Sequence, residues 1–182
     1  MLVKFLKRLA VVLVVIIAVA YIFWPKWLTV KGPILSVLTG EMAETPAEAT
    51  IASRLKLPDG YKIGVYASFL PNARVMVMTS AGDIAVSLPR VGEIALVKAD
   101  GDGDGRSDGT TTLLSGLNKP HGITLNGNYL YVAENQQISR YPFDGLIGAV
   151  TGGQEVIFTG LPEGGNHWSR TISFGPDGKL YV

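Results

Sequence analysis

A phrase of strand, turn and strand recurs three times along this chain, and its spacing limits the folds that the chain can adopt. The clearest copy covers residues 114–132, the next covers residues 158–182, and a weaker copy covers residues 68–86. Leu117 of the middle copy lies 44 residues before Leu161 of the last copy and 47 residues after its counterpart in the weak copy. A period of about 40 to 50 residues built from strands and turns is typical of a β-propeller, in which each copy forms one blade.

The sequence after residue 57 is typical of an all-β domain. Short runs rich in β-branched and aromatic residues alternate with Gly, Asn, Asp and Pro turns, and no helical period is present. The runs predicted as strands are residues 75–78, 93–97, 129–133, 137–141 and 154–158. Three repeats are too few to close a propeller, which has about four to eight blades. We therefore expect residues 57–182 to be a partial β-propeller, truncated at its C-terminal end, within a longer protein.

The only two histidines, His121 and His167, fall in the same place of successive copies when the phrases are aligned. Because a propeller arranges equivalent positions around one channel, we expect both rings to face the same space. An imidazole titrates close to neutral pH and is suited to proton abstraction, so His167 is a candidate general base. His121 either contacts a ligand or bonds to the adjacent blade, and Arg170 either holds an anionic cofactor or braces the start of a strand. Trp168 is expected to pack between blades.

Glu134 directly follows a predicted strand. It either points inward or is solvated, and we expect it to be solvated.

The first 26 residues have the pattern of a targeting segment. Three basic residues precede an uncharged apolar run, residues 9–24. The positive-inside rule places the N-terminus in the cytoplasm and the rest of the chain outside. We predict residues 1–26 as an N-terminal transmembrane anchor helix or, with cleavage after Ala20, a signal peptide, and residues 27–56 as a flexible tether. Both alternatives deliver the domain to the bacterial periplasm or exterior. The anchor would tether it to the inner membrane, and a cleaved signal would lead to secretion.

Composition and charge exclude several classes of site. The 16 basic and 15 acidic residues form no basic stripe, which disfavours a nucleic-acid partner. The absence of cysteine excludes disulfides, thiolate catalysis and cysteine-based zinc sites. No G-x-S-x-G elbow is present, so a serine triad of the α/β-hydrolase type is not supported.

An aspartate- and glycine-rich loop is the strongest local motif. Asp100, Asp102, Asp104 and Asp108 occupy relative positions 1, 3, 5 and 9 of a calcium-binding loop, with glycine at position 6. The twelfth position is Thr111 rather than the bidentate glutamate of an EF-hand, and no helices flank the loop. We predict a hairpin loop between two strands that holds calcium in a structural role. The alternative is a solvated turn without a metal.

Three phrases connect residues 57–182 to a known family. They are Gly-Leu-Asn-Lys-Pro-His-Gly at residues 116–122, Leu-Tyr-Val-Ala-Glu at residues 130–134, and Gly-Asn-His-Trp-Ser-Arg at residues 165–170. In these phrases, and in the aspartate loop before them, the chain resembles the glucose/sorbosone dehydrogenases. This resemblance implies a periplasmic six-bladed propeller, of which the chain contains about three blades, and a dependence on pyrroloquinoline quinone.

The resemblance also implies roles for individual residues. His167 corresponds to a general base that takes a proton from the sugar's C1 hydroxyl, or from the hydrate, while a hydride passes to the quinone. Arg170 and His121 are the residues of this chain that we assign to cofactor binding. The expected substrate is a sugar or aldehyde, and the expected electron acceptor is a component of the respiratory chain. Two alternatives are a non-catalytic periplasmic propeller that binds a glycan or protein, and a calcium-dependent lactonase-like propeller.

Overall fold

The computed structural model describes residues 12–16, 47–162 and 168–182. The chain divides into two compact units, Met1–Ala43 and Glu44–Val182. In the first unit, residues 12–16 are helical. The rest of the predicted anchor lies outside the described residues, and no helix within the described ranges is long and apolar enough to cross a membrane. The anchor therefore stays a prediction.

The second unit begins with a short helix, α1, at Glu48–Arg54. This helix lies within residues 27–56, which the sequence analysis predicts as a flexible tether. Glu48 in the first turn and Arg54 in the last turn oppose the partial charges of the helix ends. Glu48 also forms an ion pair with Arg106 at 2.6 Å, which ties the helix to the aspartate loop.

Blade 1 is a four-stranded antiparallel sheet in which each strand pairs with the next one in the chain. Its strands are β1 (Met76–Met78), β2 (Ile84–Leu88), β3 (Glu93–Val97) and β4 (Thr110–Leu114). The aspartate loop joins β3 to β4, as the sequence predicted. A shift in the pairing register lies at Ile94 and Ala95.

Blade 2 repeats this arrangement, with one additional short strand. Its strands are β5 (Ile123–Asn126), β6 (Tyr129–Ala133), β7 (Gln137–Asp144), β8 (Ala149–Val150) and β9 (Glu155–Thr159). The long strand β7 pairs with β6, with the hairpin strand β8 and with the outer strand β9. Blade 3 is represented by β10 (Ser173–Phe174) and β11 (Leu180–Tyr181). The predicted all-β character and the predicted strands are confirmed.

Two apolar cores lie between the blades, because alternate residues of each strand face opposite sides of its sheet. In β6, Leu130 and Val132 pack toward blade 1, while Tyr131 and Ala133 pack toward blade 3. The core between blades 1 and 2 contains Ala85, Ile94, Leu96, Ile123, Leu130, Val132, Tyr141 and Phe143. The core between blades 2 and 3 contains Tyr131, Ala133, Ile138 and Ile172. The propeller-like stack is thus held together by apolar contact between sheets.

Gly122 sets the distance between the inner strands of blades 2 and 3. A Cβ atom at this position would collide with the carbonyl oxygen of Arg170 and lie 2.9 Å from the amide nitrogen of Ile172. These obstacles are backbone atoms, which cannot rotate away as the end of a side chain can. Only glycine therefore permits the observed approach of the two blades.

We predict that Gly122→Ala in the full-length protein lowers the free energy of unfolding by about 1–3 kcal/mol, the usual cost of overpacking. Gly153→Ala is the matched control, because a Cβ at Gly153 would have no neighbour within 4 Å. Its effect should stay within about 0.5 kcal/mol. Denaturant unfolding of both variants measures the difference, and equal stability of the two would contradict the close contact.

A second prediction concerns Tyr141 in the first interblade core. Burial and the nearby Glu134 carboxylate raise the pKa of Tyr141 to about 12. The unfolded chain releases this proton near its ordinary pKa of 10.0, whereas the folded protein keeps it to about 12. Stability should therefore fall across that window by up to about 1.4 kcal/mol per pH unit. Unfolding midpoints between pH 9 and about pH 12 should show this fall in the wild type and a smaller fall in Tyr141→Phe, and identical slopes would refute it.

Candidate functional site

Three side chains and the backbone carbonyl of Arg170 meet where the inner strands of blades 2 and 3 begin. We call Lys119, His121, Trp168 and Arg170 the interblade cluster. The Nδ1 atom of His121 lies 3.2 Å from the carbonyl oxygen of Arg170. The His121 ring meets the Trp168 ring edge-on at a centroid separation of 5.9 Å, and the Lys119 ammonium lies 5.7 Å from the centroid of the Trp168 ring. The cluster thus combines two cations, an imidazole and a large aromatic plane.

The strand register corrects the predicted equivalence of the two histidines. The inner-strand residue that pairs with the tyrosine of the Leu-Tyr-Val run is Thr124 in blade 2 and Ser173 in blade 3. His121 and Arg170 each lie three residues before these positions. Arg170, and not His167, therefore takes the place of His121 in the next blade.

The reason for this shift is an insertion between the blades. Leu117 donates its backbone N–H to the carbonyl of Gly92, directly before β3, and Leu161 donates to the carbonyl of Gln136, directly before β7. Since β3 and β7 are the third strands of blades 1 and 2, the two leucines are equivalent. Leu117 lies four residues before His121, whereas Leu161 lies nine residues before Arg170. The five additional residues belong to the segment that contains His167. Residues 163–167, and with them the predicted general base, lie outside the described residues.

Arg74 of blade 1 is the equivalent of His121 in blade 2. The N–H of Arg74 donates to the carbonyl of Ser87 at 3.0 Å, and the N–H of His121 donates to the carbonyl of Ala133 at 2.9 Å. Ser87 also donates its hydroxyl to the carbonyl of His121 at 2.7 Å. The His121 backbone is therefore fixed within its own blade and to blade 1.

Glu134 is buried, and the expectation that it is solvated is wrong. Only 4% of its surface is exposed. Its carboxylate accepts hydrogen bonds from the backbone N–H of Asn118 at 2.6 Å and from the amide side chain of Gln137 at 2.8 Å. These donors compensate the cost of burying the charge. Glu134 thus supports the loop that leads to Lys119 and His121.

Lys119 is a member of the site that the sequence did not reveal. Its φ of 51° lies in the left-handed region, which is unfavourable for a residue with a Cβ and unusual directly before a proline. The loop is held in this conformation because Pro120 is fully buried and Asn118 is bonded to Glu134. Such strain is found often at functional sites. The sequence signal was the Lys-Pro-His run, but the backbone angle could not be read from it.

Arg170 contacts both ends of the inserted segment. Its guanidinium donates to the carbonyl oxygens of Pro162 and, at 3.1 Å, of Ser169. These hydrogen bonds support the second of the two interpretations of Arg170, in which it braces the start of its strand. They leave the predicted cofactor contact as a proposal.

The aspartate loop brings three of the four predicted metal ligands together. Asp100, Asp102 and Asp108 each present a carboxylate oxygen within 4.8 Å of the others. Asp104 is not in this group, and its Oδ1 accepts the N–H of Arg106 at 2.7 Å. This grouping is the one candidate cluster of metal-binding side chains among the described residues.

Backbone N–H groups stabilise the charged carboxylate of Asp100 within the loop. The N–H of Gly105 donates to its Oδ2 at 2.8 Å, and the N–H of Gly103 donates to its Oδ1 at 2.7 Å. The bond from Gly105 is the main cause that holds the pKa of Asp100 below its ordinary value. Asp100 is therefore ionised at neutral pH, as a calcium ligand must be.

The loop and the interblade cluster lie at opposite ends of the strands. Asp83, in the turn between β1 and β2, accepts the N–H of Ala99 at 2.9 Å and pairs with Lys98 at 2.9 Å. Burial raises the pKa of Asp83, but the Lys98 and Ala99 contacts outweigh it, so the pKa is lowered overall. Arg74, the counterpart of His121, precedes the other end of β1. A cation in the loop would therefore act on blade structure and not on the cluster.

Comparison with known proteins places this fold. A family model described as TrAA12-like matches residues 55–182. No curated protein matches the chain. Among solved structures, the holo form of the pyranose dehydrogenase PQQ domain from Coprinopsis cinerea is similar, with 14% sequence identity and a TM-score of 0.59 over 67% of this chain and 29% of that chain.

Two structures of the carbohydrate-active enzyme family AA12 protein from Trichoderma reesei are similar as well. The iodide structure has 19% identity and a TM-score of 0.57 over 66% of this chain and 31% of that one. The calcium structure has 18% identity and a TM-score of 0.58 over 66% of this chain and 30% of that one. The chain thus spans less than a third of the length of these structures. Their fold agrees with the predicted resemblance, and because the family match extends over most of its length, the chain belongs to the TrAA12-like family.

Proposed function

We propose that this protein is a quinoprotein oxidoreductase that oxidises a sugar or an aldehyde of the aldose or sorbosone type. The family match over residues 55–182 is the observation that carries this proposal. The similar PQQ domain of a pyranose dehydrogenase supports the cofactor assignment. Since this chain spans 29% of that domain, activity belongs to the complete protein.

The interblade cluster fits the chemistry of the cofactor. Pyrroloquinoline quinone is a planar aromatic molecule with several carboxylates, and when bound it supplies the acceptor for the substrate's hydride. Lys119 and Arg170 provide positive charge for the carboxylates, and Trp168 provides an aromatic plane. Arg170 is therefore proposed to hold one edge of the cofactor.

His167 is proposed as the general base. It directly precedes Trp168 in the chain, so it lies one residue from a member of the cluster. Its task is to accept the proton of the sugar's C1 hydroxyl, which an imidazole performs well near neutral pH.

The aspartate loop is proposed to bind calcium in a structural role. Three convergent carboxylates repel one another, and a cation relieves this repulsion. The similar Trichoderma protein was solved as a calcium structure. The described cluster contains no histidine, which argues against the lactonase-like alternative within the described part of the chain.

The periplasm is the proposed location, with the protein tethered to the inner membrane by the N-terminal anchor. The basic residues followed by the apolar run of residues 9–24 support this proposal. Electrons from the substrate are proposed to pass to an acceptor of the respiratory chain.

We predict that His167→Gln in the full-length protein lowers turnover by roughly 10²-fold or more, because glutamine cannot accept the proton. Binding of the quinone, followed by its absorbance, should be unchanged and serves as the control. The measurement is steady-state oxidation of a panel of aldoses with an artificial electron acceptor. Full turnover in the variant would remove the base assignment, and a folded protein without quinone binding would favour a non-catalytic propeller that binds a glycan or a protein.

For the loop, we predict that calcium at about 100 times its dissociation constant stabilises the protein by about 2.7 kcal/mol. Asp100→Asn should abolish this increase, because it removes a charged ligand from the cluster. Asp59→Asn, at an exposed turn outside the loop, is the matched control and should respond like the wild type. Thermal unfolding with calcium and with a chelator measures the effect. An increase that survives in Asp100→Asn would place the cation elsewhere.

A further inference from the structure

We propose that His121 is a positioning residue that fixes the backbone immediately after His167. This inference rests on the proposed function, since its importance for catalysis depends on His167 as the base.

The hydrogen bond between the two blades shows which ring nitrogen of His121 carries a proton. A carbonyl oxygen accepts and never donates, so the Nδ1 atom that faces the carbonyl of Arg170 must carry a proton. Both the Nδ1–H neutral tautomer and the doubly protonated ring satisfy this requirement. We call this contact between His121 Nδ1 and the Arg170 carbonyl the strut.

The backbone that carries the His121 ring is itself held by hydrogen bonds. The backbone of His121 is bonded on one side to Ala133 and on the other to the hydroxyl of Ser87, which belongs to blade 1. Gly122 follows directly and allows the inner strand of blade 3 to approach. The position of the ring is thus determined by two complete blades.

The strut reaches the chain on the C-terminal side of His167. Its two contacts are the carbonyl of Arg170 and the edge of the Trp168 ring, and Trp168 is the neighbour of His167 in the chain. The Lys119 ammonium also lies near the Trp168 ring, 5.7 Å from its centroid. Because a displacement of about 1 Å in a catalytic group can cost about 10²-fold in rate, holding this backbone matters for the base.

Two substitutions of His121 in the full-length protein separate the strut from a direct cofactor contact. His121→Phe keeps a ring beside Trp168 but removes the donor to Arg170. His121→Asn removes the ring but places an amide N–H near the position of Nδ1. We expect His121→Phe to accelerate amide hydrogen exchange at residues 168–172 by about tenfold or more, without the cofactor present. We expect His121→Asn to retain most of the protection.

Kinetics then test whether the strut serves catalysis. We expect kcat of His121→Phe to fall at least about tenfold while KM and the quinone affinity stay within about twofold, and His121→Asn to recover most of kcat. Unchanged exchange in His121→Phe would overturn the strut, and equal loss of quinone affinity in both variants would show a direct cofactor contact instead. If His121→Phe does not fold, Trp168→Leu carries the same exchange test. The exchange result stands even if His167→Gln proves fully active, so failure of the proposed function is distinguishable.

Discussion

The close approach of blades 2 and 3 at Gly122 is the contact on which the candidate site depends. Without a side chain at Gly122, the carbonyl of Arg170 comes within reach of the His121 ring. Apolar packing between the sheets brings the blades together, but it is not directional and would tolerate small shifts. The glycine contact and the single hydrogen bond beside it set one register. The cations and aromatic ring of the interblade cluster follow from that register.

Buried polar groups specify the loops that the apolar cores leave undetermined. Ser87, which is fully buried, joins the first strand of blade 1 to the His121 carbonyl of blade 2. Glu134 likewise holds the loop before Lys119, and two hydrogen-bond donors offset the cost of burying its carboxylate. A buried acceptor that loses its donor costs about 1–3 kcal/mol, so such groups discriminate against alternative loop conformations. They explain how a strained backbone at Lys119 can persist.

Much of this architecture was predictable from the sequence, since it depends on local patterns. The alternation of apolar runs and turns gave the strands, and the 44- to 47-residue period gave the blades. The aspartate spacing predicted the loop between β3 and β4, because its glycines permit the reversals that bring alternate carboxylates together. The equivalence of Leu117 and Leu161, which the 44-residue spacing predicted, was correct as well.

The remaining features depend on contacts between segments that are distant in the sequence. Aligning His121 with His167 ignored an insertion that only the strand register reveals, and Arg170 takes the equivalent place. The burial of Glu134 depends on donors from Asn118 and Gln137, whose positions the local pattern does not specify. Asp104 lies outside the carboxylate group and accepts the Arg106 amide, which the aspartate spacing does not reveal. Period and composition therefore predict blades well, and sites between blades poorly.

We propose that the junction of blades 2 and 3 presents its cations to a quinone and that His167, which precedes Trp168 in the chain, is the base. A crystal structure of the complete protein with pyrroloquinoline quinone and an aldose tests it most directly. We expect cofactor density beside Lys119 and Arg170, with the His167 ring within hydrogen-bonding distance of the sugar's C1 hydroxyl. Cofactor density at another junction, or a His167 ring directed away from the sugar, would contradict it.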